Sequence, residues 1–220
     1  MYVVSLDQRL RGAEDLAPAL ARRLGDLGTV VPFQCARAHA VQGITADPAA
    51  AVAAALAGLR GEAWSVGIGV GPVGLETVAG AGGSTSLRAD GPGTVHAHRA
   101  AAAAARTGRV PVCVAAEDAA AAARAQSVLR LLGRIVAQRT AAEWRVVDLL
   151  VPGARGQQKV VAGELGITPQ AVSKAVARAL WQEEWDARPA AARLLELCEP
   201  PGTGPGAQAS TMKPSESIHS

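Results

Sequence analysis

Aromatic side chains make up only 3% of this chain, with a single tyrosine and a single phenylalanine. Proteins that grip RNA or single-stranded DNA stack bases on exposed rings, so there is little material here for that mode. Cysteine is equally sparse. Cys35, Cys113 and Cys198 are far apart and odd in number, which excludes CxxC-type zinc sites and a disulfide scaffold. They are expected to be small buried hydrophobes in a reducing cytoplasm. No GK[ST] string occurs, so a P-loop is excluded. No apolar run approaches the ~20 residues that cross a bilayer, and Asp7 stands where a signal peptide would be apolar. The expectation is a cytoplasmic protein without a membrane partner. Net charge is only +3 with scattered Lys and Arg, so a nucleic-acid partner must be argued from a local motif.

What is present is apolar content: 49% of 220 residues, enough for one large or two small cores. Tyr2 to Leu6 reads as a strand. Leu16, Leu20, Leu24 and Leu27 make a helical stripe over Asp15 to Leu27. Thr29 to Phe33 and Ala40 to Thr45 are spaced as a hairpin. Asp47-Pro48 is an N-cap with proline in the first turn, opening an alanine-rich helix that stops at Gly58 or Gly61. Trp64 to Val70 is a glycine-containing strand, the glycine-rich run to Pro92 a loop, Thr94 to Arg106 a helix and Arg109 to Ala115 a strand. The order β-α-β-β-α-β-α-β predicts an α+β sandwich of ferredoxin or palm type over residues 1–116.

Glu117 to Arg139 carries Val128, Leu131, Leu132, Ile135 and Val136 on one side and is expected to be a connecting helix, 117–139. Thr140-Ala-Ala-Glu143 has the spacing of a capping box, so a new helix starts there, and Pro152-Gly153 stops it. An all-α domain is expected over 140–198. From 199 to 220 the chain is dominated by Pro, Gly, Ser and Thr and is expected to be disordered.

Within the rear domain, "VVAGELGITPQAVSKAV", Val160 to Val176, fits a helix-turn-helix. Gly166 falls where the turn needs a positive φ, and Ala162 is small enough for two helices to approach. Thr168 is a good N-cap and Pro169 a good first helical residue. Spacing puts Val172, Ala175, Val176, Ala179 and Leu180 toward a core with Leu165 and Ile167, and turns Gln170, Lys174 and Ala177 outward with Ser173 and Arg178 flanking. A small, polar, cationic face can enter a major groove, where Gln pairs with adenine and Lys with guanine or phosphate. The expected DNA-binding set is Thr168, Gln170, Ala171, Ser173, Lys174 and Arg178, and the alternative is an αα-hairpin with an ordinary solvated face. "WQEEWDARPAAARLLELCE" has no turn for a wing. It reads as a short connection and a helix with Pro189 near its start and Leu194, Leu195 and Cys198 on one face, while Trp181 and Trp185 pack. Few phosphate contacts from one such motif imply a homodimer on half-sites about one helical turn apart, with the Val128 to Val136 stripe or Leu194 and Leu195 as the interface.

Four strings carry a family resemblance: "MYVVSLDQRLRGAEDL" (1–16), "WSVGIGVGPV" (64–73), "LRADGPGTVHAHRAA" (87–101) and the helix-turn-helix itself. Together they resemble bacterial SatD-like proteins, in which a nucleotide-cyclase-like palm precedes a helix-turn-helix of sigma-region-four or MarR-like type. The resemblance implies a palm whose two-metal chemistry needs one carboxylate on the first strand and more on the next hairpin. Asp7 matches the first. Where the family tends to show Gly-Asp-Glu, this chain has Ala38-His39-Ala40, which cannot ligate magnesium. The front domain is therefore expected to be catalytically degenerate, with no catalytic residue, metal or cofactor.

Other signals are weaker. Gly69, Gly71 and Gly74 satisfy GxGxxG, but Pro72 interrupts it and no helix follows at once, so a strand end is expected. His96 and His98 lie two apart on a helix and diverge. Asp7, Arg88, Gly91 and Arg99 are the candidate residues for a nucleotide or small-molecule effector. The sequence-level reading is a DNA-binding transcriptional regulator with a degenerate sensory or interaction domain. The alternatives are an active nucleotidyl-cyclase-type enzyme and a protein-docking module.

Overall fold

A computed structural model describes residues 1–9, 14–79, 85–108 and 110–200. It is mixed α+β, with a five-stranded sheet and eight α-helices among these residues. Strand β1 (Tyr2–Gln8) lies at the centre, paired antiparallel to β3 (Ala40–Thr45) on one side and to β4 (Trp64–Val70) on the other. Strand β2 (Val31–Arg37) closes the hairpin with β3, and β7 (Val112–Ala115) adds to β4 in parallel, giving the order β2-β3-β1-β4-β7. Side chains alternate across a strand, so Tyr2, Val4 and Leu6 face one side while Val3, Ser5 and Asp7 face the other.

The first face holds the main core. Tyr2, Val4, Leu6, Val66, Ile68 and Val112 are buried there under α1 (Ala17–Arg23), α2 (Pro48–Leu59) and α4 (Ala119–Gln138). Each such large side chain contributes about 1.5–3 kcal/mol by leaving water. The second face is covered along β4 and β7 by α3 (Pro92–Ala105) at unusually close range. Gly67 and Gly69 permit this. A methyl group on Gly69 would lie 2.1 Å from the Ala97 nitrogen, and one on Gly67 2.3 Å from the Ala101 nitrogen. Glycine on the strand and alanine on the helix are thus two halves of one contact, and the GxGxxG string is a packing surface.

Several expectations are corrected. The glycine-rich stretch before Pro92 includes a hairpin, β5 (Gly74–Ala79) with β6 (Thr85–Asp90), in which the β-branched Thr77 favours an extended chain and Glu76 stands opposite Arg88. The first helix is shorter than Asp15 to Leu27, because Leu16 caps it and the chain turns after Arg23 while Leu24 still reaches the core. The last strand begins at Val112; Arg109 lies outside the described residues, as does the expected disordered tail from 201 onward. Cys35 is exposed, whereas Cys113 and Cys198 are buried; burial, aided by the Asp118 charge, pushes the Cys198 thiol up to about 11.

The rear segment comprises α5 (Ala141–Val147), α6 (Gln158–Leu165), α7 (Pro169–Arg178) and α8 (Trp181–Glu196). Helix α8 is one continuous helix with Pro189 in its interior rather than near its start. Pro189 is exposed there and forgoes only its own backbone donor. The expected separation of a linker from a rear domain is crossed by packing: α4 buries Leu129, Leu132 and Val136, and α8 buries Ala191, Ala192 and Leu195, all in the main core. Leu195 is therefore inaccessible as a dimer contact, while Leu131 on α4 is 68% exposed.

Candidate nucleic-acid interface

The α6–α7 unit is built from local signals. Helix α6 ends at Gly166 in the left-handed region (φ 64°), which glycine adopts without steric cost, and the Ile167 nitrogen donates back to the Ala162 carbonyl at 3.0 Å. The Thr168 hydroxyl accepts from the Ala171 backbone nitrogen at 3.1 Å, and Pro169 opens α7. Val172 and Ala175 are buried against Val161, Ala162 and Val146, with Leu165 and Val176 packed beside them. Ile167 and Leu180, expected in this core, are each 41% exposed. Ile167 belongs to the turn rather than to a helical face, and Leu180 adopts a left-handed conformation (φ 47°) that swings it out of the α7 periodicity.

Gln170, Ser173, Lys174, Ala177 and Arg178 are exposed. Gln170, Ser173 and Lys174 line an open groove of about 730 Å³ together with Gly156, Gln158 and Lys159. Lys159, in the first turn of α6, is the residue that sequence reasoning missed. It doubles the cationic charge of the groove, and only its position beside Val160 and Val161 on an amphipathic segment hinted at it. The loop leading into α6 is held by Gln157, whose side-chain oxygen accepts from the Val151 nitrogen at 2.7 Å and whose amide donates to the Val151 and Ala154 carbonyls at 2.7 and 2.9 Å.

Ala171 and Arg178 do not join this groove. They line a second depression on the α5 side with Arg145 and Ile167, and the Arg178 guanidinium lies 3.3 Å from Glu143. Helical geometry explains this: positions 170, 173, 174 and 177 share one face, and 171 and 178 lie about a quarter-turn away. Glu143 also closes the capping box at the start of α5, accepting from the Thr140 nitrogen at 2.9 Å while the Thr140 hydroxyl accepts from the Glu143 nitrogen at 3.2 Å. The Thr140 backbone donor, with the Thr140 hydroxyl and Arg178, holds the Glu143 carboxyl below its ordinary range against the opposing effect of desolvation. A carboxyl lowered in the folded state contributes stability that is full above its unfolded pKa and lost as pH falls through the folded value. Glu143→Gln is thus expected to cost about 1 kcal/mol at neutral pH. The difference from the parent should shrink as melts are run at progressively lower pH through the carboxylate range, and a pH-independent difference would count against the cap.

The front candidates fall into two places. Asp7 pairs in register with Ala40 and with Ser65, so it lies beside the β2–β3 turn formed by Ala38 and His39. Its carboxylate is taken by Arg37 at 2.6 Å. With Arg9, Ser65 and His98 they line a cleft of about 440 Å³. Gly91 and Arg88 lie toward the opposite end of β4, where Gly91 approaches the Pro72 carbonyl at the start of α3. The strand separates the two ends by about 20 Å, so Asp7, Arg88, Gly91 and Arg99 do not form one site. His96 Nδ1 lies 2.8 Å from the Val70 carbonyl oxygen and fixes α3 to the sheet, while His98 faces the cleft. Among the described residues no group of three or more His, Cys, Asp or Glu converges as for a metal, and no helix is long and apolar enough to cross a membrane. No protein-family model, curated protein or solved structure matches the chain.

Proposed function

We propose that the protein is a DNA-binding transcriptional regulator in which α6 and α7 act as a helix-turn-helix and α7 enters the major groove. The observation that carries this reading is the groove of Gln170, Ser173, Lys174 and Lys159, set on a helix whose opposite side is buried by Val172 and Ala175. Gln170 and Ser173 supply hydrogen bonds to base edges, and the two lysines supply phosphate or guanine contacts. Two copies on adjacent half-sites provide the phosphate contacts that one copy lacks. The sheet domain, read as a SatD-like, palm-type unit, serves as a sensory or interaction module: its strands run β2-β3-β1-β4 with Asp7 near the end of the central strand β1, but the adjacent turn offers Ala38 and His39 where carboxylates would be needed for two-metal catalysis.

Selection of genomic fragments by the purified protein should recover a DNA motif. On that DNA, Gln170→Ala with Lys174→Ala should weaken binding by about 1–3 kcal/mol per lost base contact, with a thermal midpoint close to the parent because both residues are exposed. Lys159→Ala should weaken binding to all sequences alike and flatten the salt dependence. Val172→Ala should instead lower stability. If the Gln170 and Lys174 double variant bound the selected DNA as tightly as the parent, α7 would not be the recognition helix.

A further inference from the structure

Away from the groove, a half-open cavity of about 250 Å³ lies where α1, α2, α4, α5 and α8 meet. Its lining is unusual in composition: four arginines, Arg23, Arg60, Arg139 and Arg188, stand against two carboxylates, Asp148 and Glu184, with three of the chain's four tryptophans beside them. Three of the four arginines have a carboxylate partner, two of them sharing one. Asp148 is held by both Arg60 nitrogens at 2.7 and 2.6 Å, and Glu184 is shared by Arg139, at 3.0 Å, and Arg188. Arg23 has no carboxylate within salt-bridge distance among the described residues. Arg23 is exposed on its outer side; the desolvation of its guanidinium against the cavity wall and the neighbouring Arg60 cation hold its pKa below the usual arginine range, against the pull of Asp148. Arg60 is also pressed over the Trp144 ring at 3.8 Å, which fixes its guanidinium at the cavity wall.

We propose that this cavity binds a small oxyanion of charge −2 or more, with Arg23 and Arg60 as its principal contacts. The unpaired guanidinium gives the anion a free fork of donors, and the lining's excess of two positive charges in a partly desolvated space strengthens the attraction. Guanidinium recognises phosphate and carboxylate by the same planar geometry, so the shared chemistry is that of either group. Bound there, the anion competes with Asp148 for Arg60. Asp148 caps the end of α5, and α5 packs under α7 through Val146, so the occupant acts on the link between the sheet and the proposed recognition helix.

The full chain can be titrated with pyrophosphate and, separately, with succinate at constant ionic strength set by sodium chloride, following tryptophan fluorescence. Trp144, Trp181 and Trp185 report from the cavity wall. A saturable change is expected with at least one probe, and the better probe assigns the phosphoryl or the dicarboxylate class. Arg23→Gln should weaken the response about tenfold, the effect of losing one charge-assisted contact. Asp148→Asn should tighten it by removing the competitor, and because Asp148 is half-exposed the variant should still fold. No saturable change with either probe beyond the chloride control, or a change that neither substitution moves, would overturn the proposal. DNA binding is not needed for this readout, so its outcome is independent of the helix-turn-helix reading.

Discussion

Replacing Arg139 by methionine is expected to destabilise the protein by about 3–5 kcal/mol, the range seen when one member of a buried ion pair is removed. Arg139 and Glu184 have side chains only 3% and 1% exposed. The guanidinium does more than neutralise Glu184. Its Nε donates to the Ala179 carbonyl at 2.8 Å and another nitrogen donates to the Leu180 carbonyl at 3.4 Å, at the left-handed residue where α7 gives way to α8. Methionine fills much of the volume but leaves a buried carboxylate short of a partner and the Ala179 carbonyl without its donor, while the Leu180 carbonyl keeps the bond from the Glu184 nitrogen at 3.1 Å. Chemical denaturation of Arg139→Met against the parent measures the loss. The double variant Arg139→Met with Glu184→Leu should recover a large part of it, because removing both charges removes the desolvation cost, and Arg188 can turn to solvent. A single variant within about 1 kcal/mol of the parent would mean that the α7–α8 junction is held by packing alone.

Gly69→Val should be comparably severe. The added Cβ alone would meet the Ala97 nitrogen at 2.1 Å and the Gly93 carbonyl oxygen at 2.3 Å, both backbone atoms of α3 that cannot rotate away. The helix must move off the sheet, exposing Ala97, Ala100 and Ala104 and opening the contact with Cys113. Overpacking usually costs about 1–3 kcal/mol, and a backbone obstacle places this case at or beyond the upper end. At this chain length about 3 kcal/mol corresponds to a fall in Tm of roughly 6–12 °C. Gly28→Ala is the control: an added methyl there meets nothing within 4 Å. It should be neutral or slightly stabilising, through reduced freedom of the unfolded chain. Equal melting temperatures for Gly69→Val and Gly28→Ala would show that α3 does not lie on β4 as described.

These cases also mark how far the chain could be read without coordinates. Asp47, Thr140 with Glu143, Gly166, Thr168 and Pro169 were legible because a cap is a contact within two to four residues, decided by side-chain chemistry and backbone angle alone. The same holds for the outward face of α7, since helical periodicity orders Gln170, Ser173 and Lys174 wherever the helix lies. Periodicity failed where a residue left its helix, as Ile167 and Leu180 do, and composition misled where glycines masked the β5–β6 strands. Tertiary structure decided the rest. Lys159 enters the groove only because the turn at Gly166 folds α6 back beside α7, and the arginines of the junction cavity come from segments as far apart as residues 23 and 188. Contacts between such distant positions depend on how whole elements pack, and nothing in the local sequence around either partner encodes the distance between them.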